Sequence, residues 1–499
     1  MKARKFDKEV EWFMRKILSN IFYNATYQIF VIIIPILTVP YVSRILGAEL
    51  LGINSFLLSI NTFLGVIILM GLSQLGVRLI SKSDPFQLRE TFFNLWKLQL
   101  TSGVLIILVF LIATITFVDD KFYYWLQLPM LLSYILDISW FFIGIGEIKT
   151  VITRNTVVKI AMLVLIFTLV QSKDDLALYM LINTVGSLLA NVFFWISLKK
   201  YISVPYGEIE NTSTENIKSS KVLLKQSLIL LIPQIAVQVY TSLDKTLVGW
   251  IAGSTQLSYY DQSQKIARIV LSIVTSISVV LMPAMARIEG EEEGNKKLNE
   301  ILKISLDYTL MISLFSTCFL FSISKIFVPF FFGDNFISMI PNMKYVSIII
   351  IPIAIGGVFA NQFTLAKGMY REYSIPFVIG AFVNIALNLI LVPRFEANGG
   401  TFSLIITEFL VCLLRIYLIR KQIDLRMIFK EQFKVFLAGF ITLLWGNFLI
   451  VTNINAFFDI FVNGVIMLLI FVSCLILFKT RITDDFFKVK DKIKKGEKK

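Results

Sequence analysis

The chain has 499 residues, 56% apolar and 14% aromatic, with a mean hydropathy of +0.76 and a formal charge of +14. That apolar share exceeds the roughly 45–50% of soluble domains, so a count of membrane spans replaces the usual allotment of about one domain per 150 residues. Histidine is absent and only Cys318, Cys412 and Cys474 occur, each alone in an apolar run, which argues against zinc catalysis, disulfide scaffolds and hydrolytic triads and implies no cofactor and no metal.

Fourteen apolar stretches follow one another at 17–42, 50–78, 90–118, 122–146, 152–171, 175–198, 222–251, 257–287, 299–328, 342–366, 372–393, 400–420, 430–452 and 456–478. Each is long enough for a helix to cross a bilayer, whereas barrel strands would alternate over about 10 residues. The predicted class is all-α, a polytopic membrane protein of 14 transmembrane helices. Ahead of them, Phe6, Val10, Phe13 and Ile17 recur at helical spacing among charges, which predicts an amphipathic segment on the membrane surface and no cleaved signal peptide.

Every second gap is basic, from Lys2, Arg4 and Lys5 through Lys82 and Arg89, Lys199 and Lys200, Arg287, Lys367 and Arg371 to the Lys-rich tail, while the others hold little beyond Arg44, Lys121, Lys173, Lys344 and Arg394. The positive-inside rule then places both termini in the cytoplasm of a plasma membrane. Placed beside helix ends, the surplus of charge answers membrane lipids, and no nucleic acid is needed to explain it.

The longest hydrophilic interruption divides the chain into an N-terminal lobe at 1–198, a cytoplasmic linker at 199–221, a C-terminal lobe at 222–421, two trailing helices at 422–480 and a basic tail at 481–499. The halves echo each other. ILGAELLGINSF (Ile45 to Phe56) matches the rhythm of IAGSTQLSYYDQ (Ile251 to Gln262), and GEIKTV (Gly146 to Val151) that of GMYREY (Gly368 to Tyr373). Six helices per half predict parallel repeats around a central cavity.

Charges inside membrane helices cost about 2.5–3.5 kcal/mol each on insertion scales, so they should face an interior or a wet hollow. Asp137 lies in the fourth stretch, Lys159 in the fifth, Asp244 and Lys245 in the seventh, Glu408 and Arg415 in the twelfth. The eighth carries the clearest stripe: Asp261, Lys265 and Arg268 share one helical face, followed by Ser272, Thr275 and Ser276. Gln234, Gln238, Thr241 and Lys245 repeat the spacing on the seventh, as do Asn20, Asn24 and Gln28 on the first. Such stripes fit a polar lining or plain helix-to-helix bonding. Base outnumbers acid among them, which predicts an anionic substrate. Pro35, Pro40, Pro233 and Pro352, the last followed by Gly356 and Gly357, are candidate kinks. GEEEGNKK (Gly290 to Lys297) lacks the spacing of a phosphate loop, so coupling to ATP hydrolysis is not expected.

TVPYVSRILGAELLG (Thr38 to Gly52), WFFIGIGEIKTVITRN (Trp140 to Asn155), LDKTLVGWIAGSTQLSYYDQSQKIAR (Leu243 to Arg268), SVVLMPAMARIEGEEEG (Ser278 to Gly294) and ANQFTLAKGMYREYSIPFVIGAFVNIALNLILVP (Ala360 to Pro393) occur in an order and spacing that resemble bacterial polysaccharide-export flippases of the multidrug/oligosaccharidyl-lipid/polysaccharide superfamily. The resemblance covers roughly residues 17–420. It implies two six-helix lobes plus two helices, and alternating access that moves a polyprenyl-diphosphate-linked oligosaccharide from the inner to the outer leaflet without enzymatic chemistry. Acting as a monomer, the chain would have polysaccharide polymerase machinery as a candidate partner. Ile143, where a Gln is expected, and Gly146, where a bulkier residue is usual, depart from the pattern and put glycan preference in question.

On this reading Arg44, Lys159, Lys245, Lys265, Arg268, Gln234 and Gln238 are candidate contacts to the diphosphate and glycan, and Asp137, Asp244 and Asp261 candidate ion-coupling or gating groups. The rivals are a peptidoglycan-precursor flippase and a cation-coupled multidrug exporter of the same superfamily. An acidic cavity would be expected of the exporter. A membrane glycosyltransferase is disfavoured by outer gaps of about a dozen residues at most.

Overall fold

The apolar stretches form helices in a computed structural model that describes residues 2–84, 87–202, 220–288, 294–452, 454–481 and 483, with side chains described from residue 30 and outside 276–297. The amphipathic positions Phe6, Val10, Phe13 and Ile17, the polar stripe Asn20, Asn24 and Gln28, Ser276, most of the 199–221 linker, GEEEGNKK and the basic tail therefore lie wholly or in their side chains outside the described residues. Contacts gather the chain into two units, Met1–Leu50 with Phe56–Leu243, and Leu51–Ser55 with Asp244–Lys499.

The first unit contains most of α1 (Lys2–Leu69), then α2 (Leu72–Ile80), α3 (Leu88–Phe117), α4 (Phe122–Trp125), α5 (Leu128–Leu136), α6 (Ser139–Gly144), α7 (Ile148–Leu169), α8 (Leu176–Ile202) and α9 (Ser220–Gln238). Its core gathers Phe92, Trp140, Phe141, Phe142 and Phe194. Where the sequence reads as one helix over 122–146, the chain breaks at Asp137 (φ −74°, ψ 98°). The carbonyls freed there are taken up by side chains: Trp96 Nε1 donates to Ile135 O at 3.1 Å, Trp195 Nε1 to Leu136 O at 3.0 Å, and Gln99 Nε2 to Tyr134 O and Asp137 O at 2.7 and 2.9 Å. A lipid-embedded break is tolerable only when its backbone is satisfied in this way.

The second unit contains α10 (Asp244–Ala252), α11 (Ser254–Ile288), α12 (Gly294–Phe332), α13 (Ile340–Val346), α14 (Ile350–Gly357), α15 (Tyr370–Ile419), α16 (Leu425–Ile428), α17 (Gln432–Gly446) and α18 (Ala456–Leu477). Leu302, Leu306 and Leu310 of α12 meet Phe359, Phe363, Ala438 and Phe471 at its centre. Two helices leave α-register as π-helix six residues after a proline: Val239–Leu243 follows Pro233, and Val358–Leu365 follows Pro352.

Ten of the described helices are long and apolar enough to cross a membrane. Two of them, Phe30–Ile80 and Tyr370–Ile419, each hold two of the apolar stretches, joined through non-helical residues at Gly47 and Glu396. α11, whose first half carries Asp261, Lys265 and Arg268, and α17, with 15 residues, are not among the ten.

The sequence echoes have a backbone counterpart. Gly47 and Gly253, which align in the first echo, have φ of +76° and +89°; Gly146 and Gly368, which align in the second, have +77° and +66°. A left-handed conformation favours glycine at all four positions. Gly47, with ψ 178°, occupies a region essentially reserved for glycine, and a Cβ there would meet nothing within 4 Å. Gly47→Ala is therefore expected to destabilise the protein by strain alone, about 1–3 kcal/mol, read as a lower melting temperature of the detergent-purified chain.

Candidate functional site

The second unit concentrates its membrane-buried charge where α10, α11 and α15 pack together. Asp244 is fully buried: its Oδ2 accepts from the Tyr260 hydroxyl at 2.7 Å and its Oδ1 from the Lys245 backbone N–H at 2.6 Å. One residue on, Lys245 Nζ lies 2.7 Å from Asp261 Oδ1, and Lys265, one helical turn beyond Asp261, lies 2.7 Å from its Oδ2. Ser55 of α1, in this same unit, donates to that Oδ2 at 2.7 Å. The Asp261 side chain is thus 3% exposed and serves two lysines whose side chains stay 20% and 36% exposed.

Arg268 continues the stripe. Its Nη2 is buried without a hydrogen-bond partner among the described residues, and its charge acts on Asp244, Tyr260 and Glu408. Glu408 and Arg415 are buried on α15. The Arg415 guanidinium sits 4.7 Å from the Phe377 ring centroid, and Gly356 makes room for it: a Cβ there would come within 2.9 Å of Nη1. The cluster holds four basic and three acidic side chains. Beside it, Gln264 is fully buried with neither amide atom in a hydrogen bond of good geometry among the described residues, and the same is true of Gln262 Oε1 and the Ser258 and Ser263 hydroxyls. Buried polar atoms left this way cost about 1–3 kcal/mol apiece, so a lining the protein does not satisfy suits water or a polar ligand.

The other nominated residues stand in the first unit. Arg44 is exposed on α1 and Lys159 half-buried on α7. Gln234 Nε2 is buried without a partner among the described residues, while Gln238 Oε1 accepts from the Thr241 hydroxyl at 2.8 Å. Asp137 Oδ1 accepts from Ser139 N at 2.9 Å, so this carboxylate also caps the helix break. Lys245 and Asp244 come together with Asp261, Lys265 and Arg268, of which spacing alone placed only the last three on one face. Sequence reasoning left out Ser55, Tyr260 and Gln264, and noted Glu408 and Arg415 as intramembrane charges without placing them in the site. Tyr260 and Gln264 flank the charged stripe of α11 and could have been added from it; a lone serine in an apolar helix carries no comparable signal.

Residues 17–289, more than half of the chain, match the family described as polysaccharide biosynthesis protein. The chain belongs to that family. Two putative O-antigen transporters, from Escherichia coli (strain K12) and Shigella dysenteriae, are 22% and 21% identical to this family member over alignments taking in 81% and 76% of its length and 96% and 94% of theirs. Its fold is similar to that of a lipid II flippase MurJ in an inward closed conformation (TM-score 0.70, 14% identity, 94% of this chain and 100% of that one). It is also similar to a multidrug resistance MATE family transporter of the MOP superfamily facing inward (TM-score 0.59, 13% identity, 78% and 94%). Its described residues are helical without strands, and ten helices long and apolar enough to cross a membrane make it a multi-pass membrane protein.

Proposed function

We propose that this polysaccharide biosynthesis family member is a flippase, not an enzyme, that carries a polyprenyl-diphosphate-linked oligosaccharide from the inner to the outer leaflet of a bacterial plasma membrane by alternating access, with both termini in the cytoplasm. The observation that carries the reading is the pair of lysines sharing one buried carboxylate, with Arg268 Nη2 in the next turn buried without a hydrogen-bond partner among the described residues. Two ammonium groups on one carboxylate leave a positive remainder inside a membrane protein, and a diphosphate is a fitting counter-charge. The names of the two O-antigen transporters, which match nearly their whole length to this chain, support the cargo class.

Lys245, Lys265 and Arg268 form the diphosphate clamp, and Arg44, Lys159, Gln234 and Gln238 are further contacts to phosphate or sugar. Asp261 gates the clamp by neutralising it between cycles; Asp244 and Asp137 are the groups to answer a coupling cation. Four bases against three acids in the cluster favour this cargo over the cationic drugs of a multidrug exporter. In proteoliposomes or depleted cells, Lys265→Ala and Arg268→Ala are each expected to lower translocation of lipid-linked oligosaccharide at least tenfold with membrane levels unchanged, the loss of about 1.4 kcal/mol or more of charge-assisted binding. Full activity in both variants removes the clamp.

A further inference from the structure

α17 ends at Gly446 after 15 residues, about 22 Å of helix against a hydrocarbon core of about 30 Å. The described residues that follow, 447–452 and 454–455, are not helical; between the exposed Asn447 and Asn455 they carry Phe448, Ile450, Val451 and Ile454, all exposed, as are Phe457 and Phe461 where α18 begins. A turn of this protein built for water reads differently, as in the exposed Gln171, Ser172, Lys173 and Asp174.

The depth of the non-helical segment follows from what it bonds. Asn463 Oδ1 accepts from Ile450 N at 2.9 Å while its Nδ2 donates to Ile450 O at 2.7 Å, and Asp459 Oδ1 accepts from both the backbone N–H (2.9 Å) and the hydroxyl of Thr452. Asn463 lies seven residues into α18, so Ile450 is held about 10 Å along the axis from Ala456. α18 has 22 residues, about 33 Å, enough to cross the hydrocarbon core once. Ile450 therefore sits well inside the span of α18.

We propose that residues 447–452 and 454–455 belong to a re-entrant turn immersed in the adjoining leaflet, presenting its apolar side chains to lipid hydrocarbon. Non-helical backbone is excluded from hydrocarbon unless the protein supplies its hydrogen bonds. Asp459 and Asn463, both 4% exposed and otherwise costly in a membrane helix, supply them for Ile450 and Thr452. The occupant is bilayer hydrocarbon rather than a protein because the exposed Phe457 and Phe461 carry the apolar surface from the turn into the flank of α12 and α18. There Phe319, Phe457, Phe461, Gly464 and Leu468 line a groove of about 300 Å³. The inference stands whatever the protein carries.

The test is collision spectroscopy of a nitroxide at Val451→Cys in the full chain in lipid vesicles. Cys318, Cys412 and Cys474 are buried and stay in place, with the parent chain as labelling blank. Oxygen concentrates in hydrocarbon and a water-soluble nickel chelate is kept out, so the oxygen-to-chelate collision ratio is expected to be roughly tenfold above that at the aqueous control Lys173→Cys. Ile454→Cys, at a position 75% exposed, repeats the measurement should the first variant assemble poorly. A ratio equal to that of the control overturns the proposal, because the turn then lies in water. Protection from both reagents overturns it as well, because protein then covers the turn.

Discussion

Replacing Asp261 with alanine is expected to abolish transport and to lower the melting temperature of the purified protein by several degrees. Its carboxylate takes Lys245, Lys265 and Ser55 at 2.7 Å each, so one substitution strands three donors. Removing one partner of a fully buried ion pair costs about 3–5 kcal/mol. Here the lysines keep 20% and 36% of their surface in contact with solvent and regain hydration, which brings the expected loss to about 2 kcal/mol. The two ammonium groups, previously bridged, would then repel each other and move apart.

Asp261→Asn separates charge from shape. The amide can still accept from Ser55 but brings no negative charge to the lysines, so it is expected to recover part of the thermal stability and none of the transport. Thermal-shift chromatography in detergent and a lipid-linked oligosaccharide translocation assay read the two effects independently. A melting curve and a transport rate both equal to the parent's in Asp261→Ala would mean that the bridge does nothing. Combining Asp261→Ala with Lys245→Ala should recover stability relative to the single variant, because the more buried of the two uncompensated ammonium groups, and its repulsion of Lys265, are gone.

What was legible in the sequence was what local spacing encodes. Asp261 and Lys265 are four apart on a helix, and the structure joins them at 2.7 Å. The echoes were legible because glycine is demanded by backbone conformation: Gly47 and Gly253, like Gly146 and Gly368, share the sign of φ. The break at Asp137 was not legible, since the donors that make it tolerable, Trp96, Gln99 and Trp195, lie about 40 to 60 residues away and look like ordinary helix residues. The same holds for the end of α17 at Gly446, where the sequence reads helix to residue 452: the apolar pattern does not falter, and the groups that allow the chain to unwind, Asp459 and Asn463, come from the next helix. Ser55 belongs to the site only through a contact 206 positions distant in sequence, which no periodicity reports.

Gly52→Ala is expected to be among the most damaging single changes in the second unit. Gly52 and Ser254 lie in the two matching segments of the first echo, and the two meet backbone to backbone: a Cβ on Gly52 would stand 1.8 Å from Ser254 O and 2.3 Å from Ser254 C. Neither atom can swing aside as a side-chain tip could, so α1 and α11 would have to separate. Overpacking a well-filled core costs about 1–3 kcal/mol, and a backbone-to-backbone clash belongs at or above the upper end. The damage would extend to the charged cluster. Ser55 is one helical turn beyond Gly52, and moving α1 away lifts its hydroxyl from Asp261, forfeiting a hydrogen bond to a charged group worth about 1.5–3 kcal/mol. Gly357→Ala is the matched control: it sits at the end of α14, where the nearest atom to a new Cβ is 4.0 Å away, and it should leave stability within about 1 kcal/mol of the parent. Melting temperature and translocation measured on both variants decide the matter. If Gly52→Ala melts and transports like Gly357→Ala, the close approach of Gly52 to Ser254 is not what holds Ser55 against Asp261.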